Sequence, residues 1–275
     1  MRLASRLLLG ANRLLPAPAL PGESNADAYA LWEYNTAGPI VELFQRAFGT
    51  VNSAHRGLDL GCGLGGKTKR LAEVGSQLGW TALDLSLQHL RAASDLHGER
   101  ATWCAGDAAL LPFADRSFDV IVSADTLEHL PDPRRVLREL HRCLRAEGRV
   151  ALLFNPWGSP RGSHLGDLLR LPWCQLWFDS ATLIEAARAE AERRQTVSRS
   201  YAESLVEHFR DHVHPTRIAD FRHWIASDGL FEIETELHVG PGPLRRASWI
   251  GRGSWEEWLA ASYGAVLRPL ASTRR

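Results

Sequence analysis

The chain has 275 residues, enough for one large domain or for a core domain with a sizeable appendage. Its 32 Lys and Arg balance its 32 Asp and Glu, so there is no net field to steer a polyanion, and nucleic acid is set aside as a partner. Cys62, Cys104, Cys143 and Cys174 are scattered without a C-x-x-C pair, which argues against a cysteine-built metal site and suits reduced thiols in the cytoplasm.

The chain opens on MRLASRLLLGANRLLPAPAL, with Arg2, Arg6 and Arg13 and no acid before Glu23. Its apolar block, broken by Arg13, falls far short of the ~20 residues of a membrane span. No clean small-residue cleavage site follows it. Residues 1–50 are expected to form an N-terminal helical segment, with a peripheral membrane contact left open by its basic and apolar character.

Between residues 51 and 155, short apolar runs alternate with helical patterns. RGLDLG, TALDLS, ATWCAGDA, FDVIVSAD and GRVALLF have the length and composition of strands. GGKTKRLAEVGSQ, SLQHLRAASDLHG and PDPRRVLRELHRCLRAEG lie between them as helices. The last puts Val136, Leu137, Leu140 and Leu144 on one face, with Pro131 and Pro133 at its start and Gly148 at its expected end. Such alternation predicts a parallel sheet covered on both faces, with ligands beyond the carboxyl ends of the strands.

From 156 to 214 the rhythm breaks, and a stretch this long should have a substructure of its own. It holds Trp157, Trp173 and Trp177 and two helical patterns, SATLIEAARAEAERRQT and YAESLVEHFRDHVH. A Trp-rich helical cap is expected, closing as an apolar lid over a small lipophilic or aromatic molecule. Residues 215–275 then supply a helix, the strand FEIETELHV, a hairpin partner near RRASWIG and a closing helix in SWEEWLAASYGAVLRPL.

The stretch LDLGCGLGGKTKRL, residues 58–71, fits three glycine-loop patterns at once. Gly61 to Thr68 reads as a phosphate-binding loop, Gly61-x-Gly63-x-x-Gly66 as a dinucleotide loop, and Asp59-x-Gly61-x-Gly63-x-Gly65 as a loop for S-adenosylmethionine. A carboxylate at Asp59 would repel a triphosphate, whereas S-adenosylmethionine is cationic and phosphate-free. Asp84 ends the second strand where an acid grips ribose hydroxyls, which suits NAD and S-adenosylmethionine equally. Asp107 discriminates: an acid closing the third strand can accept from the adenine amino group while the backbone of Ala108 meets the ring.

With these residues in place, the span from Leu58 to Ala151 resembles the class I S-adenosylmethionine-dependent methyltransferases, in the branch of the ubiquinone and menaquinone C-methyltransferases. The matching blocks are LDLGCGLGGKTKRLAEVG, LDLSLQHLRAAS, GDAALLPFADRSFDVIVSADTLEHLPDP and RRVLRELHRCLRAEGRV. The resemblance implies an α/β, Rossmann-like, doubly wound sheet of seven mainly parallel strands, with the helical insertion after the fifth. It implies that Asp59 and the Gly61, Gly63 and Gly65 loop hold the methionine end and that Asp84 binds the ribose. It also implies Leu85 on the adenine, Asp107 and Ala108 at its edge, backbone at Ser123 and Ala124 near the methionine amino group, and Glu128 and His129 facing the acceptor. Lys67 and Thr68 become ordinary first-turn helix residues. The product would be S-adenosylhomocysteine.

His129 and His164, after the fourth and fifth strands, are the candidate bases for an acceptor that must lose a proton. His208, His212 and His214 invite a metal through their helical spacing, but no third ligand stands at a persuasive position; a solvated helix end is expected, and no metal. An NAD(P)-dependent oxidoreductase and a non-catalytic S-adenosylmethionine-binding protein remain as alternatives.

Overall fold

Four of the helices begin at a side chain that caps them. Ser86, Asp132, Asp179 and Ser198 each accept the N–H of the residue three positions on, satisfying a donor that the first helical turn leaves free. A computed structural model describes residues 1–16, 26–49, 55–194, 197–240 and 255–270. Within them the strands are β1 (Arg56–Leu60), β2 (Gly79–Asp84), β3 (Thr102–Ala105), β4 (Phe118–Ala124), β5 (Leu144–Phe154), β6 (Phe231–Val239) and β7 (Ser262–Pro269). The helices are α1 (Leu3–Asn12), α2 (Ala26–Thr36), α3 (Gly38–Phe48), α4 (Gly66–Val74), α5 (Leu87–His97), α6 (Pro133–Cys143), α7 (Cys174–Trp177), α8 (Ser180–Arg193), α9 (Arg199–His212), α10 (Ile218–Asp228) and α11 (Glu256–Leu259).

The strands form one sheet in the order β3-β2-β1-β4-β5-β7-β6, with β1 to β5 parallel and β7 antiparallel to both its neighbours. The expected doubly wound, seven-stranded sheet is therefore present. Its two cores follow from side-chain alternation along each strand. Val150, Leu152 and Phe154 join α6 and α10 on one face, while Ala151 and Leu153 join α3 on the other. Ile40, Leu43 and Phe44 of α3 are fully buried there, each contributing roughly 1.5–3 kcal/mol of transfer free energy.

A third core belongs to the cap, where Leu165, Leu168 and Leu169 pack with α8 and α9. Leu8 and Leu9 of α1 are part of it. Buried Asn12 fixes α1 in place, its amide donating to the Leu168 carbonyl at 3.0 Å and accepting the Arg170 N–H at 2.5 Å. The N-terminal segment is thus shared: α1 packs into the cap and α3 packs on the sheet.

Two expectations are corrected. The closing helix is a strand: SYGAVLRP forms β7, filling the slot between β5 and β6, and only the four residues of α11 are helical. A continuous apolar run of this length fits a doubly covered strand as well as a buried helix, and here unpaired edges on both sides decide the matter. The hairpin partner of β6 is accordingly β7, while RRASWIG lies outside the described residues. The helix expected to reach Gly148 stops at Cys143, and Gly148 lies inside β5.

Candidate functional site

The glycine loop turns sharply at the end of β1. The Leu83 carbonyl on β2 takes the N–H groups of Gly61 and Cys62, at 2.7 and 3.1 Å. Gly61 has φ +76°, and a Cβ there would sit 2.2 Å from the Thr126 hydroxyl, so only glycine fits. Asp84 closes the loop from the side: its Oδ2 accepts the Gly63 N–H and its Oδ1 the Ser86 N–H, both at 2.9 Å. Burial pushes its pKa upward, but His89 at 3.7 Å and these two N–H groups outweigh that and hold it below the usual carboxylate range.

On the neighbouring strand end, the Gly106 N–H bonds the Asp84 carbonyl at 3.1 Å, which brings Asp107 beside it. Asp107 is exposed, with one oxygen accepting the Ala109 N–H at 2.8 Å, and Ala108 is half-buried next to it. Leu85 is 77% exposed, an apolar surface at the mouth of these strands. Ala124 is buried at the end of β4, beside Ser123, whose hydroxyl donates to the Leu60 carbonyl.

Asp59 is placed differently from the other two acids. It is buried beneath the loop and accepts the Thr68 hydroxyl at 2.6 Å; burial raises its pKa to about 6. Its carboxylate fastens the first turn of α4 to β1. Thr68 is therefore no ordinary first-turn residue, and neither is Lys67. The Lys67 ammonium is mostly buried and pairs with Asp125 at 2.7 Å. Burial alone would lower it, but Asp125 and Glu33 reverse the direction and raise it.

Glu33 had no sequence signal. It arrives from α2, which lies against α4 so closely that a Cβ on Gly66 would stand 2.0 Å from the Ala30 carbonyl. Its Oε2 accepts the Gly66 N–H at 3.1 Å, at the helix start where a carboxylate is favoured. Burial nevertheless lifts its pKa to about 7.

The ends of β4 and β5 carry the second half of the site. Asp125 follows β4 with φ +54° and accepts the Asn155 amide at 3.2 Å. Glu128, 1% exposed, accepts both the backbone N–H and the amide of Asn155 at 2.9 and 3.0 Å, and burial raises its pKa to about 8. His129 donates from Nδ1 to the His212 carbonyl at 3.0 Å, because a carbonyl can only accept. His164 has φ +57° and sets its Nε2 3.8 Å from Glu128 Oε1. Burial first, then its histidine neighbours, push His164 down to about 3 and His208 to about 4.

His129 and His164, foreseen separately, thus meet at 4.9 Å between ring centroids. His208 joins them at 4.5 Å from His129. The helical trio expected in solvent therefore divides: His208 turns inward, while His212 is exposed. Of the expected lid residues, Trp157 packs against the cap core, Trp173 donates its indole N–H to the Trp258 carbonyl at 3.0 Å, and Trp177 is 72% exposed.

Comparison with known proteins bears on the family and the fold. Residues 58–152 match the methyltransferase domain family. An uncharacterised methyltransferase of Mycobacterium sp. (strain JLS) is 30% identical over 152 residues, covering 55% of this chain and 59% of that protein. A demethylmenaquinone methyltransferase of Thermotoga maritima is 40% identical over 96 residues, covering 35% and 42%. Both matches span less than two thirds of the relative's own length. A solved S-adenosylmethionine-dependent methyltransferase from Mesorhizobium loti superposes with a TM-score of 0.53 at 19% identity, over 89% of this chain and all of that one. Residues 58–152 thus match a methyltransferase domain, and the chain shares its seven-stranded fold with this solved methyltransferase.

Proposed function

We propose that the protein transfers the methyl group of S-adenosylmethionine to a small, apolar or aromatic acceptor and releases S-adenosylhomocysteine. The observation that carries this reading is Asp84, kept ionised at the end of β2 while holding the glycine loop through the Gly63 N–H. Its carboxylate suits the ribose hydroxyls, exposed Leu85 suits the adenine face, and Asp107 with Ala108 suits the adenine edge. The Gly61–Gly65 backbone, stiffened from below by Asp59 and flanked by Ala124, suits the methionine end. When bound, S-adenosylmethionine supplies the activated methyl and its own leaving group, so the protein's work is alignment and exclusion of water.

The acceptor side supports an uncharged ligand. His129, His164 and His208 are neutral at physiological pH and Glu128 is mostly protonated, so no isolated charge there calls for an ionic acceptor. In this reading His129 and His164 orient the acceptor as neutral hydrogen-bonding groups. Such low basicity does not suit proton storage. One relative is named as a demethylmenaquinone methyltransferase, in keeping with a small-molecule acceptor.

Two observations bear on location. All four cysteines are free thiols, which supports the cytoplasm. No helix among the described residues is long and apolar enough to cross a membrane. Exposed Leu3 and Leu7 beside Arg2 and Arg6 on α1 favour a peripheral membrane contact as a second reading, which binding to anionic vesicles would test.

Isothermal titration tests the main reading. S-adenosylhomocysteine is expected to bind one per chain while NADH does not bind; NADH binding without S-adenosylhomocysteine binding would make the protein an oxidoreductase.

A further inference from the structure

We propose that His129, His164 and His208 form a binding site for a divalent transition-metal ion of the zinc type. The three come from separate segments, namely the turn after β4, the loop after β5, and α9, and each offers a nitrogen within 4.8 Å of the others. In a tetrahedral zinc site, nitrogens at 2.0–2.1 Å from the ion lie roughly 3.4 Å apart, so modest ring rotations bring the set to bonding geometry. Imidazoles alone select zinc, copper, iron or nickel over magnesium or calcium, which prefer oxygen.

Two features point to a ligand, where simple ring packing would not need one. His129 already spends Nδ1 on the His212 carbonyl, which fixes the tautomer and leaves Nε2 as a lone pair. This is the outer-shell support that metal-bound histidines commonly have. His164 Nε2 and Glu128 Oε2, close together in the same wall, are buried without any hydrogen-bond partner. A buried polar atom left without a partner is costly. An ion would take the first, and a water or acceptor oxygen on that ion could take the second. A phenylalanine at position 164 would fill the same space without stranding a ring nitrogen.

An ion held by three imidazoles keeps a coordination position open for water or for an acceptor's oxygen. That use rests on the methyltransferase reading; ion binding itself does not. Among the described residues no other group of three or more His, Cys, Asp or Glu converges in this way.

The test uses tag-free, full-length protein dialysed against a chelator and titrated with cobalt(II), followed by visible absorption and calorimetry, then displaced with zinc. Saturable uptake of one ion per chain is expected. His164→Ala and His208→Gln should each weaken it by about tenfold or more. His212→Ala and His214→Ala should leave it unchanged, since His212 contributes only its backbone carbonyl. S-adenosylhomocysteine binding, measured on every variant, reports whether the fold is intact. Absence of one-to-one uptake by the wild type overturns the site, as does uptake that survives in a folded His164→Ala variant. So does uptake abolished by His212→Ala, which would mark a helix-face site instead. Protein that binds S-adenosylhomocysteine but no cobalt loses the metal site alone; protein that binds cobalt alone loses the methyltransferase reading.

Discussion

The ends of β1, β2 and β3 and the ends of β4 and β5 answer the same problem, a polar site on an apolar sheet, in opposite ways. On the first side, Asp84 stays charged because His89 and two backbone N–H groups face it. On the second, burial wins: Glu128 is driven toward its neutral acid and the histidines toward neutral imidazole. Between them, Lys67 and Asp125 neutralise each other across the loop. In the proposed reading, one half takes a cationic nucleoside and the other an uncharged acceptor. What separates them is depth of burial and the nearest charge, since each carboxyl accepts two N–H groups: Glu128 is fully enclosed beside Asp125, whereas Asp84 is half-buried and faces His89.

Four measurements can break or sharpen this contrast. The largest effect is expected from Gly66→Ala, whose methyl has no room beside the Ala30 carbonyl. Pushing α2 away should cost about 3 kcal/mol of stability, read by denaturant unfolding, and should also release Glu33. An unchanged midpoint would mean that α2 does not bear on the loop.

Next, Asp84→Ala should weaken S-adenosylhomocysteine by about 2 kcal/mol or more, roughly thirtyfold, by calorimetry. Near-normal affinity would remove the ribose assignment and with it the charged half of the comparison.

Glu33→Gln tests the pH dependence. The folded pKa of Glu33, about 7, lies above the ordinary value of 4.5, so the native state holds a proton that the unfolded chain releases. Its stabilising contribution is complete below pH 4.5 and is lost as pH rises to about 7. The variant should flatten the fall in stability across that window, measured against wild type by thermal unfolding from pH 4 to pH 8. Identical pH profiles would show that Glu33 is not held in the environment described.

The smallest effect is expected from Asp107→Asn, which keeps an acceptor oxygen at an exposed position. A loss of about 1 kcal/mol in S-adenosylhomocysteine affinity is expected. A loss as large as that of Asp84→Ala would place the main electrostatic contact at β3 instead of β2.

How much of this was legible beforehand depends on distance along the chain. Asp84 and Asp107 stand at strand ends that alternation fixes, and capping residues such as Asp132 and Asp179 act within one helical turn. Asp59 was placed in the right strand but assigned an open position; its partner Thr68 lies nine residues on, and only the docking of α4 buries the pair. Glu33 and the pairing of Lys67 with Asp125 left no trace, and His208 stood out only beside His212 and His214, because each true pairing brings together elements far apart in sequence.

The sequence by itself determined the parallel core, its order of strands and helices, and the glycine loop between two acidic strand ends, because hydrophobic period and turn chemistry act over a few residues. Tertiary structure decided that SYGAVLRP is a strand, that α1 belongs to the cap, and that three distant histidines share one neutral pocket. Those outcomes follow from which unpaired edge, apolar face or buried nitrogen lies nearby after collapse, and no local pattern encodes that.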